Sequence, residues 1–296
     1  MKIDGVFSGG GVKAFAFIGA MEQLEEKGYS FERVAGSSAG AILASLLAAG
    51  YKNEELKEIF MDLDVKQFMD GARLERYLPF IKWISLYFAL GLYKGDVFEH
   101  WIHDTLAKKN IYTFADLPPG TLKVIVADLT VGKMVVIPDD VKRIYGVDPS
   151  NFPVAKAVRM SASLPYFFRP KKIWDQKHKK HIIVDGSLLS NLPMWVFDGD
   201  RKFQKRPLLG IKLSANYDKI MIGKITDALK LTKSLFTTMQ IAHDQRYIVM
   251  HQQNNVLFLP VSEVGVADFH LSQASKQNLV DLGKTKTAAF LKNWPH

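Results

Sequence analysis

The sequence predicts an α/β fold with a mainly parallel sheet, and three observations support this prediction. Residues 2–7 and 32–35 have the short apolar pattern of strands, and a glycine-rich turn follows each of them. Segments with helical periodicity then cover residues 12–28 and 41–50, and each ends at a glycine. A strand, a turn and a helix that recur in this order are typical of parallel sheets, because the helix returns the chain to the start of the next strand.

The rest of the chain continues this alternation. We predict further strands over residues 122–130, 133–137, 208–213 and 256–261, the second of which pairs with the first across a turn. A hairpin with a lysine-rich tip is predicted over 171–184, and helices are predicted over 53–70, 77–93, 96–109, 153–161, 221–251 and 272–293. The sequence has no repeats or long linker, and 48% of its residues are hydrophobic. We therefore expect a single domain over residues 1–296.

Composition excludes several functional classes. The chain has no cysteine, which rules out disulfides, thiolate metal sites and a cysteine nucleophile. No secretory signal or membrane-spanning segment is apparent, so we expect a cytoplasmic or peripherally membrane-bound protein. The net charge of +9 and the pI of about 9.4 favour polyanionic partners. Nucleic acid is not expected among them, because no helix-turn-helix, zinc or RNA-binding signature accompanies the charge.

The second glycine-rich turn matches the G-x-S-x-G nucleophile motif through Gly36, Ser38 and Gly40. It lies between a strand and a helix, as the motif requires. The small residues let the helix pass close to the strand, and the serine hydroxyl is exposed where the helix dipole favours negative charge. The alternative is a simple turn in which a serine caps the helix.

The first glycine-rich turn contains Gly9, Gly10, Gly11, Val12 and Lys13. Consecutive glycines expose backbone N–H groups that can stabilise the oxyanion of acyl transfer, and Lys13 adds positive charge nearby. The competing interpretation is dinucleotide binding, since Gly9, Gly11 and Ala14 fit G-x-G-x-x-A. That motif also needs an acidic residue at the end of the second strand, and here the strand runs into GSSAG instead.

Asp185 is the best candidate for the base that a serine nucleophile needs. It closes the apolar strand HIIV, and Gly186 turns the chain after it. Partial burial would raise its pKa and strengthen it as a base. None of the eight histidines lies in a recognisable motif, and His178 and His181 are expected to be solvated in the lysine-rich hairpin. Judged from Asp185, Gly186 and Ser187 alone, the alternative to a catalytic base is an ordinary Asp-Gly turn.

Together these motifs resemble the patatin-like phospholipase family. Gly9 to Lys13 match its G-G-G-x-[K/R] oxyanion loop, Ser38 with its glycines matches its elbow, and Asp185 and Gly186 match its D-G-[G/A] motif. The resemblance extends to about Pro193, with residues 194–296 completing the domain. Ser187 stands where the family usually has glycine or alanine, and Ser8 stands where it often has an acidic residue.

The resemblance implies a three-layer α/β/α fold and a Ser38–Asp185 dyad without histidine. It also implies hydrolysis of acyl esters in phospholipids or neutral lipids with no metal or cofactor, with the N–H groups of Gly10, Gly11 and Val12 holding the oxyanion. Two alternatives remain open at this point: an acyltransferase with the same dyad, and a lipid-binding protein without activity.

A lipid hydrolase must meet an interface, and two segments are candidates for peripheral contact with a membrane surface, including an anionic one. The apolar segment 77–93 carries aromatic side chains that suit an interface, among them Trp83, Tyr87 and Phe88. The hairpin tip carries Lys177, Lys179 and Lys180, which suit anionic headgroups. The alternative for segment 77–93 is a helix buried in the core, and the alternative for the hairpin tip is a solvated turn with no partner.

Overall fold

The computed structural model describes residues 1–71, 86–199, 206–213, 225–226, 234–235, 238–239, 241, 253–261 and 271–294. The strands are β1 (Lys2–Phe7), β2 (Ser30–Ser37), β3 (Gly91–Tyr93), β4 (Leu122–Asp128), β5 (Lys133–Ile137), β6 (Tyr166–Phe168), β7 (Lys171–Trp174), β8 (Lys180–Asp185), β9 (Leu208–Lys212) and β10 (Val256–Phe258). The helices are α1 (Phe15–Glu26), α2 (Ala39–Ala48), α3 (Asn53–Asp62), α4 (Asp96–Ala107), α5 (Val141–Tyr145), α6 (Val154–Ser161) and α7 (Gln273–Leu291).

The main sheet has the order β10-β9-β1-β2-β4-β8-β7, and β5 also pairs with β4. Its strands from β10 to β4 are parallel, whereas β5 and β8 are antiparallel to β4. β4 has the sequence LKVIVAD and is buried throughout, as expected for a central strand covered on both faces. The predicted mainly parallel sheet is confirmed.

Alternate residues of the strands face two different cores, which produces three layers. On β1, Phe7 packs into the larger core with α1 and α2, while Val6 packs into a second core on the opposite face. On β4, Val124 packs into the larger core and Ile125 packs into the second core. The second core is closed by the single helical turn Met194–Phe197.

The C-terminal helix α7 packs directly on α1, and two glycines permit the contact. A Cβ added at Gly19 would lie 1.8 Å from the Val280 carbonyl oxygen, and one added at Gly283 would lie 1.9 Å from that of Ala16. The two backbones are therefore in contact. This packing attaches the end of the chain to the part that carries the sequence motifs.

The pairing around β4 brings the ends of β2 and β8 together. β2 pairs with the first half of β4 and ends with Ser37 beside Ile125, while β8 pairs with the second half and ends with Asp185 beside Val126. Since β5 pairs along the whole of this region, it occupies the other edge of β4. β2 and β8 therefore share one edge of β4 and meet end to end.

Three elements differ from the sequence predictions. The helix predicted over 53–70 ends at Asp62, because the Lys276 ammonium group from α7 binds the carbonyl oxygens of Met61 and Leu63. The helix predicted over 77–93 does not reach its predicted end: Leu90 has a φ of 60°, and the next residues form β3, which pairs with β6. The last strand ends at Phe258. Most of the helix predicted over 221–251 lies outside the described residues.

Within the part of the chain that the structure describes, no helix combines the length and the apolar composition that crossing a membrane requires.

Candidate active site

Ser38 lies on a sharp turn between β2 and α2, with a φ of 54° and a ψ of −123°. Such a backbone conformation costs a non-glycine residue about 1–3 kcal/mol, so the surrounding packing must hold it. A Cβ at Gly36 would lie 2.3 Å from the carbonyl carbon of Gly40, and a Cβ at Gly40 would lie 2.2 Å from the Phe7 oxygen. Both glycines of the motif are therefore required by the close packing of α2 on β1 and β2.

Ser161, at the end of α6, fixes the backbone of Ser38. The Ser38 N–H donates to Ser161 Oγ at 2.9 Å, and this hydroxyl donates in turn to the Ile125 carbonyl oxygen at 2.6 Å. The turn is thereby tied to β4. Ser161 was not among the predicted site residues, because its partners lie far away in the sequence.

The Asp185 carboxylate uses its two oxygens for different partners. Oδ2 accepts a hydrogen bond from Ser38 Oγ at 2.6 Å, whereas Oδ1 accepts from the Ser187 N–H at 2.8 Å and from Ser187 Oγ at 2.7 Å. The residue is 1% exposed, and this burial raises its pKa to about 6, while the hydrogen bonds from Ser38 and Ser187 act in the opposite direction. The side chain is thus a stronger base than an ordinary aspartate.

The glycine-rich turn after β1 lies against Ser38. A Cβ at Gly9 would be 3.1 Å from the Ser38 Cβ, so any larger residue would fill the space beside the hydroxyl. The Gly9 N–H is not free, because it donates to the Asn191 carbonyl oxygen at 3.2 Å. Gly11, with a φ of 56°, begins a short 3-10 helix, whose first N–H groups have no acceptor within the helix.

Lys13 anchors this turn. Its N–H donates to the Gly10 oxygen at 3.2 Å, and its ammonium group donates to the Val261 oxygen at 2.8 Å. The lysine therefore ties the turn to the segment after β10, a role that sequence analysis did not foresee.

A family model described as patatin-like phospholipase matches residues 5–198, which contain both glycine-rich turns, Ser38 and Asp185. The chain belongs to the patatin-like phospholipase family. YqhO of Bacillus subtilis (strain 168), described as an uncharacterized protein, is 47% identical over 296 residues, the full length of both chains. The uncharacterized protein R571 of Acanthamoeba polyphaga mimivirus is 24% identical over 200 residues, which are 65% of this chain and 60% of that protein.

Solved structures support the same fold. VipD from Legionella pneumophila superimposes with a TM-score of 0.57 at 18% identity, over 99% of this chain and 67% of VipD. The type III effector protein ExoU superimposes with a TM-score of 0.52 at 17% identity, over 98% of this chain and 53% of ExoU, so this chain spans about half the length of that effector. The predicted three-layer α/β/α fold and the family resemblance are confirmed.

In this member of the family, a buried arginine supports the strand that carries Asp185. Arg159 donates to Ser163 Oγ at 2.6 Å and to the carbonyl oxygens of Lys94 and Gly95 at 2.6 and 2.8 Å. The carbonyl oxygen of Ser163 accepts the Asp185 N–H at 3.0 Å. Burial lowers the pKa of Arg159 to about 10, which still leaves the guanidinium charged at neutral pH.

His181 departs from its predicted solvated position in the lysine-rich hairpin. It is 2% exposed, and its Nδ1 lies 2.7 Å from Oδ2 of the buried Asp128, which also accepts from the Tyr145 hydroxyl at 3.2 Å. The alternation along β8 turns His181 inward together with Ile183. Of the described histidines, at positions 100, 103, 178 and 181, none hydrogen-bonds to Ser38.

The described residues contain no group of three or more histidine, aspartate or glutamate side chains arranged to hold a metal ion. The predicted membrane contacts are partly described. Tyr87 and Phe88 are each 78% exposed, and Lys177, Lys179 and Lys180 are exposed at the hairpin tip. Trp83 lies outside the described residues.

Proposed function

We propose that this protein is a lipid acyl hydrolase in which Ser38 is the nucleophile and Asp185 is the general base. The observation that carries the proposal is the 2.6 Å hydrogen bond from Ser38 Oγ to Asp185 Oδ2, in which the acceptor is buried and has a pKa of about 6. A serine nucleophile needs such an acceptor within hydrogen-bond reach. Membership of the patatin-like phospholipase family supports a phospholipid or neutral lipid as the substrate.

In the first step, Ser38 Oγ attacks the ester carbonyl carbon while its proton moves to Asp185 Oδ2. The carbonyl oxygen becomes an oxyanion, and the tetrahedral intermediate collapses when the protonated Asp185 returns the proton to the leaving alkoxide. The products are an alcohol and an acyl ester on Ser38. Oδ1 remains bound by Ser187 throughout, which keeps Oδ2 directed at the reacting atoms.

In the second step, Asp185 takes a proton from water, and the resulting hydroxide attacks the acyl carbonyl carbon. The Ser38 oxygen then leaves with that proton, and a fatty acid is released. A base whose pKa lies near neutral pH is suited to both steps, because it must accept and return one proton in each.

We assign the oxyanion donors to the N–H groups of Gly10, Gly11 and Val12. The N–H of Gly9 is occupied by Asn191, so Gly9 contributes space beside Ser38. The first N–H groups of the 3-10 helix have no acceptor within the helix, so they can donate to an oxyanion. Removing one oxyanion donor from a serine hydrolase typically costs about 3–4 kcal/mol in the transition state.

The test is fatty-acid release from vesicles that contain both phospholipids and neutral lipids, with EDTA present. We expect release by the wild type and its loss in both Ser38→Ala and Asp185→Asn. Ser37→Ala is the matched control: it removes the neighbouring hydroxyl, which donates to the Ser190 oxygen at 2.7 Å, and should retain activity. Fatty-acid release that survives Ser38→Ala would refute the assignment of Ser38 as the nucleophile. Transfer of the acyl group to an added alcohol in preference to water would identify an acyltransferase.

A further inference from the structure

The β7–β8 hairpin extends beyond the end of the sheet at which Ser38 lies. Because β8 meets β2 end to end, its earlier residues continue past the end of β2. Lys179 is six residues before Asp185, so at about 3.3 Å per residue it lies about 20 Å beyond the dyad along the strand. The turn between β4 and β5 extends in the same direction, and the Leu129 N–H in this turn donates to the Ile182 oxygen at 2.9 Å.

The ends of these two hairpins form a projecting rim, which we define as Leu129, Trp174, Lys177, Lys179 and Lys180. Leu129 is 52% exposed and Trp174 is 54% exposed, and Trp174 pairs with Lys180 across the hairpin. The three lysines are exposed. Large apolar side chains next to unshielded cations are the combination that suits an anionic membrane interface.

The carboxylate at this tip, that of Asp175, binds backbone N–H groups and makes no ion pair with the rim lysines among the described residues. Asp175 turns its carboxylate inward, where Oδ1 accepts the N–H groups of Lys177 and Lys179 at 2.9 and 2.8 Å and Oδ2 lies 3.6 Å from Nε2 of His181. Its bonds therefore order the turn and leave the lysine side chains on the outside. The more distant Lys171 is paired with Glu99 and is not counted in the rim.

A surface cleft of about 350 Å³ adjoins the rim beside Trp174. Its apolar wall includes Phe152 and Ile173, and its cations are Lys156 and Lys172. The Lys156 ammonium lies 5.6 Å from the centre of the Phe152 ring, and burial lowers its pKa. The cleft therefore continues the combination of cations and apolar side chains that the rim presents.

We propose that the rim docks this protein on an anionic lipid bilayer, with Leu129 and Trp174 entering the interface and the lysines binding headgroups. The inference rests on the proposed function, because it names the surface from which Ser38 receives its lipid. The partner is a bilayer because exposed apolar groups and cations lie together on the same projecting edge, and the chain as a whole carries a net charge of +9.

The experiment is co-sedimentation of the Ser38→Ala protein with vesicles of phosphatidylcholine alone or mixed with phosphatidylglycerol. Lysines near an anionic surface contribute additively, so changing the three rim lysines to glutamine should weaken binding about 100-fold. Changing Leu129 and Trp174 to alanine should weaken it about 10-fold. The matched control changes Lys27, Lys108 and Lys292 to glutamine, since these exposed lysines follow helices that end at the opposite edge.

Each outcome decides the proposal. Binding that needs phosphatidylglycerol, weakens with salt and is lost only in the rim variants supports it. Equal loss of binding in the rim and control variants would mean that net charge alone attracts the protein, which would overturn the proposal. Binding that survives both rim changes, or no binding by the Ser38→Ala protein itself, would also overturn it. The rim variants made on the active chain should hydrolyse a soluble short-chain ester at the wild-type rate. A wild type that binds vesicles but cleaves neither their lipids nor the soluble ester would instead refute the proposed function.

Discussion

The hydroxyl of Ser187 lowers the pKa of the proposed base, so Ser187→Ala should change how activity depends on pH. Ser187 Oγ donates to Asp185 Oδ1 at 2.7 Å in a buried site, and it acts against the burial that raises the pKa to about 6. Alanine is smaller than serine and is one of the residues that the family usually has at this position, so the fold should tolerate it.

The size of the change follows from the strength of one hydrogen bond to a charged acceptor. Such a bond contributes about 1.5–3 kcal/mol, and one pKa unit corresponds to about 1.4 kcal/mol. Because the Ser38 hydroxyl and the Ser187 N–H still donate to the carboxylate, we take the lower end of this range. The pKa of Asp185 should rise by about one unit. Since the base acts when deprotonated, kcat/KM must fall as the pH drops through this pKa.

The assay is kcat/KM for a soluble short-chain ester across the acidic to neutral range, with the released acid measured by chromatography. The wild type should lose activity with an apparent pKa near 6, and Ser187→Ala should lose it about one pH unit higher, with similar activity at high pH. Ser190→Ala is the control, because its buried hydroxyl accepts from the Trp195 indole and does not contact Asp185. An acid limb that stays in place or moves to lower pH in Ser187→Ala would refute the reasoning.

Three further predictions concern the packing around the site and the packing of α7 on α1. Ser161→Ala leaves the Ser38 N–H without its acceptor, which should cost about 1–3 kcal/mol and lower kcat for the soluble ester about tenfold or more; unchanged kcat would show that the turn holds itself. In Gly186→Ala the new Cβ would lie 2.0 Å from the Ile125 oxygen, so the end of β8 must shift and kcat should fall, whereas Ser187→Gly should keep most of it. Gly283→Ala should lower the thermal midpoint, as followed by circular dichroism, in one transition that includes the N-terminal motifs; two separate transitions would contradict a single domain.

The two glycine-rich turns and the Asp-Gly turn could be predicted because each follows a strand whose apolar pattern is local. That they meet was implied by the family resemblance and not by any local pattern, because it depends on β8 continuing the edge of β4 where β2 stops, and these segments are about 150 residues apart. The contacts of Ser161 and Asn191 with the turns are long-range in the same way, so no local pattern gives these two residues their partners.

Some differences did leave a signal in the sequence. In KHIIVD, His181 alternates with Ile183 and Asp185, so the period of two places the histidine on the buried side of β8. The neighbouring lysines led to the prediction of a solvated histidine, because they belong to the exposed tip of the β7–β8 hairpin. The early end of α3 left no local signal, since the lysine that binds its last carbonyl groups comes from α7.

The central claim is that Ser38 carries the acyl group, and it is tested most directly by a covalent probe. The folded protein is treated with a fluorophosphonate that carries a lipid-like chain, and the modified peptide is identified by mass spectrometry. We predict a single adduct on Ser38, formed much more slowly in Asp185→Asn because the base can no longer accept the serine proton. An adduct on another residue, or none in a protein that releases fatty acid, would contradict the account.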